Sequence, residues 1–199
     1  MEFIVDIDSV ASKFVQFQVS LGEIVYCKSS KLTETLIKGL IGGESRVTGS
    51  VLGRKLSTIT DTDKLRTHRS EIGYVDEDMY LSRDHTILQN FELYLTGSPN
   101  LDAFVSNLDT HLEYFGLKKE TLVSILSPRE VFYTKLSFCL AKKPKLIVIP
   151  KAFTFTSQSI FKSQMAHIYE LIMDGDLTYI ANVSDPTLTE NFPGRMVTL

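Results

Sequence analysis

Three apolar runs in this chain end in polar residues, and those ends are where its chemistry would lie. After Ile24–Cys27 come Lys28, Ser29, Ser30 and Lys31, followed by leucines at 32, 36 and 40. Cations between a strand and a helix suggest phosphate binding, but that chemistry makes strict demands. Glycines must let backbone N–H groups approach the oxygens, a lysine must reach the β- and γ-phosphates, and a hydroxyl must bind Mg²⁺. No glycine lies between Gly22 and Gly39. Lys28 and Lys31 therefore read as solvated loop charges, with a phosphate contact as the alternative. The second run, Leu146–Ile149, ends in Pro150 and Lys151. Proline offers no metal ligand, and lysine cannot act as a carboxylate base. The third run, Leu177–Val183, ends in Ser184.

Acids gather instead at Asp76-Glu77-Asp78. Glu77 has the chemistry to accept a metal or a water, and a solvated acidic turn is the plainer reading. Cys27 and Cys139 form no C-x-x-C pair, and His68, His85, His111 and His167 are scattered. Neither pattern has the spacing of a metal site, so no metal is expected and the thiols read as buried and free.

These residues need elements to position them. Phe14 to Val19 alternates roughly, and Ile24–Cys27 is a short apolar run of buried-strand type. Leu32, Leu36 and Leu40 give a helix closed by Gly42-Gly43. Strand, polar loop and helix together open an α/β nucleotide-binding unit. Residues 46–75 read as strands and turns, with a strand at Ile72–Val75. Residues 86–141 are mostly helical, the last helix starting with a cap at Ser127, Pro128 in its first turn and Glu130 three residues after the cap. Its apolar stripe is Phe132, Leu136, Cys139 and Leu140. Leu146–Ile149 and Leu177–Val183 read as strands, with a helix across 157–173 between them. Leu146–Ile149 and Ile24–Tyr26 are expected to be neighbouring central strands.

The bulk numbers narrow the function classes. At 199 residues the chain suits one well-packed domain, or one domain with an inserted subdomain. A net charge of -3 argues against a nucleic-acid partner. No apolar run approaches the roughly 18 residues of a membrane span, and the acidic start MEFIVDIDSV is unlike a secretory signal. A cytoplasmic chain without its own transmembrane segment is expected.

At this point four segments, in order, resemble the ATP-binding-cassette (ABC) ATPase family over nearly the whole chain. GEIVYCKSSKLTETLIKGLIG resembles its strand, phosphate loop and first helix, and VTGSVLG its next strand. IGYVDEDMYLSRDHTILQN resembles the Q-loop region. LSPREVFYTKLSFCLAKKPKLIVIPKAF resembles the signature motif, its helix and the Walker B strand. Ser127 and Pro150 lie 23 residues apart, as the family's signature serine and Walker B aspartate do. Lys151 and Ser184 lie 33 apart, close to the interval from catalytic glutamate to switch histidine.

The resemblance implies an α/β P-loop NTPase fold: a RecA-type core at about 1–76 and 144–199, and a helical subdomain at about 77–143. It also implies that the chemistry has been lost. The Walker A lysine position holds Thr33 and the following hydroxyl position Glu34, whose charge would repel a triphosphate. The Walker B aspartate and catalytic glutamate positions hold Pro150 and Lys151, the Q-loop glutamine position Glu77, the D-loop aspartate position Ser157 and the switch-histidine position Ser184. In the signature motif Ser127 remains, but Pro128 and Arg129 replace two glycines, which hinders close backbone approach to a partner's phosphate. Arg129 reads as an exposed first-turn charge, with a phosphate contact as the alternative. A pseudo-ATPase is expected, with no cofactor and with ATP and Mg²⁺ binding doubtful. Its place would be the inner face of the cell membrane, as structural or regulatory adaptor of a permease, with another ABC ATPase subunit as a further candidate partner. A regulator with weak nucleotide binding and a slow ATPase are the alternatives. The permease-docking candidates are Met79, Tyr80, Leu81, Ile87 and Phe91.

Overall fold

A computed structural model describes residues 3–42, 45–59, 61–75, 79–95, 101–152, 158–174, 177–189 and 192–199. The chain forms two compact units, one of residues 1–74 with 144–199 and the other of residues 75–143.

The first unit holds two sheets. β1 (Phe3–Val10), β2 (Lys13–Ser20), β4 (Val47–Val51) and β5 (Arg54–Lys55) form an antiparallel sheet in the order β2-β1-β4-β5. The second sheet is parallel, in the order β6 (Ile72–Tyr74), β7 (Leu146–Ala152), β8 (Thr178–Val183), β3 (Ile24–Lys28), β9 (Arg195–Val197). Helix α1 (Lys31–Leu40) supplies Leu36, Ile37 and Leu40 to one core that also takes Val5, Ile7 and Phe17 from the antiparallel sheet and Val25, Val148 and Ile180 from the parallel one. Full burial of such a side chain contributes about 1.5–3 kcal/mol, so α1 is fixed by its apolar face. Its exit is equally determined. A Cβ on Gly39 would lie 2.4 Å from Val47, so only glycine lets the helix sit this close to β4.

The structure corrects two expectations and adds a strand. β3 and β7 are not neighbours, because β8 lies between them. Three apolar runs of similar length carry no label for lateral order; β8, buried at all six positions, takes the central place. The 46–75 region contains a helix, α2 (Thr62–Ser70), whose sole buried residue is His68, so it shows no apolar period. β1 was not foreseen as a strand, although its buried residues Val5, Ile7 and Val10 face the core. The remaining helix of this unit is α6 (Gln158–Met173).

The second unit is helical: α3 (Ile87–Tyr94), α4 (Leu101–Tyr114) and α5 (Pro128–Ala141). Phe91 of α3 meets Phe138 of α5 at 4.9 Å between ring centroids, and Phe115, just past α4, stacks on Tyr133 at 4.2 Å. α5 is buried continuously from Tyr133 to Ala141 rather than along one stripe, and Phe132 is only half-buried.

Candidate functional site

The strand-to-helix loop after β3 consists of two residues, Ser29 and Ser30, since β3 ends at Lys28 and α1 starts at Lys31. Its polar groups are used locally. The Ser30 Oγ accepts a hydrogen bond from Thr33 N at 3.0 Å and lies 3.0 Å from Thr33 Oγ1. The Thr33 hydroxyl donates back to the Lys28 carbonyl at 2.8 Å, and Thr33 is fully buried. Ser29 N donates to the Val183 carbonyl of β8 at 3.0 Å, and Glu34 N to the Ser30 carbonyl at 3.0 Å. None of residues 28–35 has a positive φ, so the backbone does not form the N–H nest that cradles phosphate. A helix N-terminus attracts anions because its first N–H groups lack partners. Here Ser30 caps one of them, and the exposed Glu34 carboxylate complements the dipole. Lys28 and Lys31 are exposed.

The ends of β7 and β8 lie beside this loop in the sheet. Pro150 is buried and has no N–H for the ladder, and the pairing of β7 with β8 slips between Ile149 and Ala152. Asn182 of β8 donates its Nδ2 to the Pro150 carbonyl at 2.9 Å, while its buried Oδ1 has no partner among the described residues. Sequence reasoning passed over Asn182, although a lone amide inside the apolar run YIANV was the available signal. Lys151 belongs to β7, and its side chain lies outside the described residues. Ser184 is exposed just past β8; the neighbouring Asp185 carboxylate accepts from Thr187 N and Oγ1 at 3.0 and 2.8 Å. Glu77 and Ser157 lie outside the described residues. Cys27 and Cys139 are buried and in no disulfide, and burial pushes the pKa of Cys27 up to about 12.

In the helical unit Ser127 closes a capping box. Its N and Oγ donate to Glu130 Oε2 at 2.8 and 2.6 Å, and Oγ accepts from Glu130 N at 3.4 Å. The bonds from Ser127 hold the Glu130 carboxyl below its ordinary range. The hydroxyl is thereby committed to starting α5, with Pro128 and Arg129 exposed beside it.

The docking candidates divide. Tyr80 is 85% exposed, and Met79 and Leu81 are half-buried. Ile87 and Phe91 are both 0% exposed, which corrects their reading as docking residues. Spaced i, i+4, they share the inward face of α3, and the outward face carries Glu92 and Leu93. Leu122 and Ile125 were missed; they are exposed by 44% and 73% in a short turn without a helical period. The loop that enters α3 is pinned by Asn90. Its Oδ1 accepts from Ser82 N at 2.7 Å, and its Nδ2 donates to the Ser82 and Thr86 carbonyls at 3.0 Å each. Val123 N and Ser124 N donate to the His85 and Arg83 carbonyls at 3.0 and 3.1 Å, tying residues 119–125 to the same loop.

No protein-family model and no curated protein matches this sequence. Solved structures do. The ADP conformation of MJ1267, an ATP-binding cassette of an ABC transporter, superposes with a TM-score of 0.77 at 16% identity, covering 100% of this chain and 88% of that one. The cbiO1 protein of Clostridium perfringens, part of the ABC transporter complex cbiONQ, gives 0.75 at 16% identity over 93% of this chain and 80% of its own. An ATP-binding subunit of an ABC transporter gives 0.75 at 18% identity over 98% and 85%. At these identities the likeness establishes the fold: an α/β ATP-binding-cassette fold with a parallel sheet and a helical insertion. Among the described residues no helix is long and apolar enough to cross a membrane.

Proposed function

We propose that this chain is a catalytically inactive cassette subunit, a structural or regulatory adaptor of a membrane permease at the inner membrane face. The observation that carries the reading is the closed loop of Ser29 and Ser30. Where a triphosphate would need free backbone N–H groups, a lysine and a hydroxyl, this chain has a capped helix start, a buried Thr33 and an exposed Glu34. Pro150 and Lys151 support the same reading, since neither holds Mg²⁺ or acts as a carboxylate base. Ser127, spent on its capping box, has no hydroxyl left for a phosphate bound by a second subunit. Pairing with an intact ATPase would thus impair both composite sites.

With hydrolysis set aside, the function falls to surfaces. Tyr80, Leu122 and Ile125 lie exposed on or beside a loop braced by Asn90, and they suit an amphipathic helix of a permease. The test is affinity purification from gently solubilised membranes. The wild-type chain is expected to bring a polytopic membrane protein with it, and a Tyr80→Ala/Ile125→Ser double variant is expected to lose it. Equal capture by both, or no membrane protein at all, contradicts the adaptor reading.

One observation favours a second reading, an ATP-responsive regulator: Lys28, Lys31 and Arg129 are all exposed. Saturable Mg-ATP binding lost on changing Lys28 and Lys31 to Gln would select it.

A further inference from the structure

Helix α2 is held down by little. Of its nine residues, TDKLRTHRS, the one buried side chain is His68, which is 0% exposed. The His68 Nε2 lies 2.8 Å from the carbonyl oxygen of Leu40, the last residue of α1. A carbonyl only accepts, so Nε2 carries the proton and the bare nitrogen of the neutral ring is Nδ1. Nδ1 is buried and has no hydrogen-bond partner among the described residues. The fit around the ring is close. A Cβ on Gly42, just past α1 at φ +72, would lie 2.8 Å from the Leu65 side chain and 3.4 Å from the His68 ring. A second anchor is weaker, the exposed bond from Arg69 Nε to the Ile41 carbonyl at 3.1 Å.

Among the described residues, the charged groups that act on His68 are Arg54 of β5, Arg69 of α2 itself and Glu71 at the end of α2. Arg54 is paired with Glu71, and its buried Nη1 has no partner among the described residues. A proton added to the buried Nδ1 would thus find no acceptor among the described residues and would be opposed by the charge of Arg54. Burial, Arg54 and Arg69 oppose that proton; the Leu40 carbonyl and Glu71 favour it, and burial outweighs them, so the ring is held below its ordinary value.

We propose that His68 is a proton-released latch, whose neutral imidazole docks α2 on the end of α1 and whose protonation at the enclosed Nδ1 undocks the helix. The folded ring binds its proton less tightly than a free histidine, whose pKa is about 6.5. Docking is therefore fully favoured above that pH and weakens as pH falls below it. The consequence passes along the chain. α2 runs through Glu71 into β6, which among the described residues pairs with β7 alone, and residue 75 then opens the helical unit. Acid release would loosen the strand through which the chain leaves the core.

The test is an NMR titration of the full labelled chain from pH 8 to pH 5, following the His68 ring and the amides of residues 62–70. Exchange of those amides, corrected for intrinsic rates, is expected to rise several-fold in step with protonation of His68. His68→Gln, whose side-chain N–H keeps a donor for Leu40, is expected to leave the helix protected at both ends of the range. Protection of α2 that is unchanged while His68 titrates overturns the proposal, as does an identical acid loss in His68→Gln. Should that variant not fold, the wild type alone decides: a His68 midpoint at or above 6.5 contradicts the latch.

Discussion

Between β3 and α1 two serines spend their polar groups on nearby backbone; within α3 one asparagine does the same for the loop that enters the helix. The outcomes are opposite. In the first loop the Ser30 hydroxyl, the Thr33 hydroxyl and the Ser29 N–H are all spent on nearby backbone or on each other. In the second, Asn90 satisfies the backbone of Ser82 and Thr86 from within, which leaves Tyr80, Leu122 and Ile125 outside. Buried polar groups must be satisfied in either case. What differs is the surface left over: a small polar one at the phosphate end of the core, and an aromatic and aliphatic one on the helical unit. On the function proposed above, the first region takes no triphosphate and the second takes a partner.

Breaking each region should separate them. The largest effect is expected from Val148→Asp, in the strand that carries Pro150 and Lys151. Val148 is 0% exposed, and an unpaired buried charge costs several kcal/mol, on the order of a domain's whole stability. Far-UV circular dichroism and solubility should show loss of the fold; a soluble, folded variant would refute the core described above. Asn90→Ala comes next. It deletes three short hydrogen bonds of a residue 5% exposed, at a cost of about 2–4 kcal/mol in urea denaturation, together with capture of the membrane partner. Ser30→Ala should cost about 1 kcal/mol, the usual value of an N-cap, and leave capture untouched. The smallest change in stability belongs to Tyr80→Ala, within about 0.5 kcal/mol by the same denaturation, although capture should fall. If Ser30→Ala and Tyr80→Ala had the same effect on capture, the contrast between the two regions would collapse.

Much of this was legible in advance where local signals agree. The leucines of α1, the apolar runs of β3, β7 and β8, and the Ser127–Pro128–Glu130 start of α5 all stand where periodicity and capping place them. Lateral strand order was not, since β8 enters between β3 and β7 through contacts far apart in sequence. α2 was hidden because one buried histidine makes no period. In the site, residue types were readable and their directions were not. Ile87 and Phe91 are as apolar as Tyr80 and Ile125, and only the phase of α3 turns the first pair inward. Thr33 was visible as a poor substitute for a lysine; that it bonds to Ser30 emerges only in three dimensions.

The proposed function requires that the residues joining β3 to α1 bind no triphosphate. Isothermal titration of the purified chain with Mg-ATP tests it directly. No saturable heat up to millimolar nucleotide is the result expected. Stoichiometric binding at micromolar concentration, lost when residues 28–34 are altered, would contradict it.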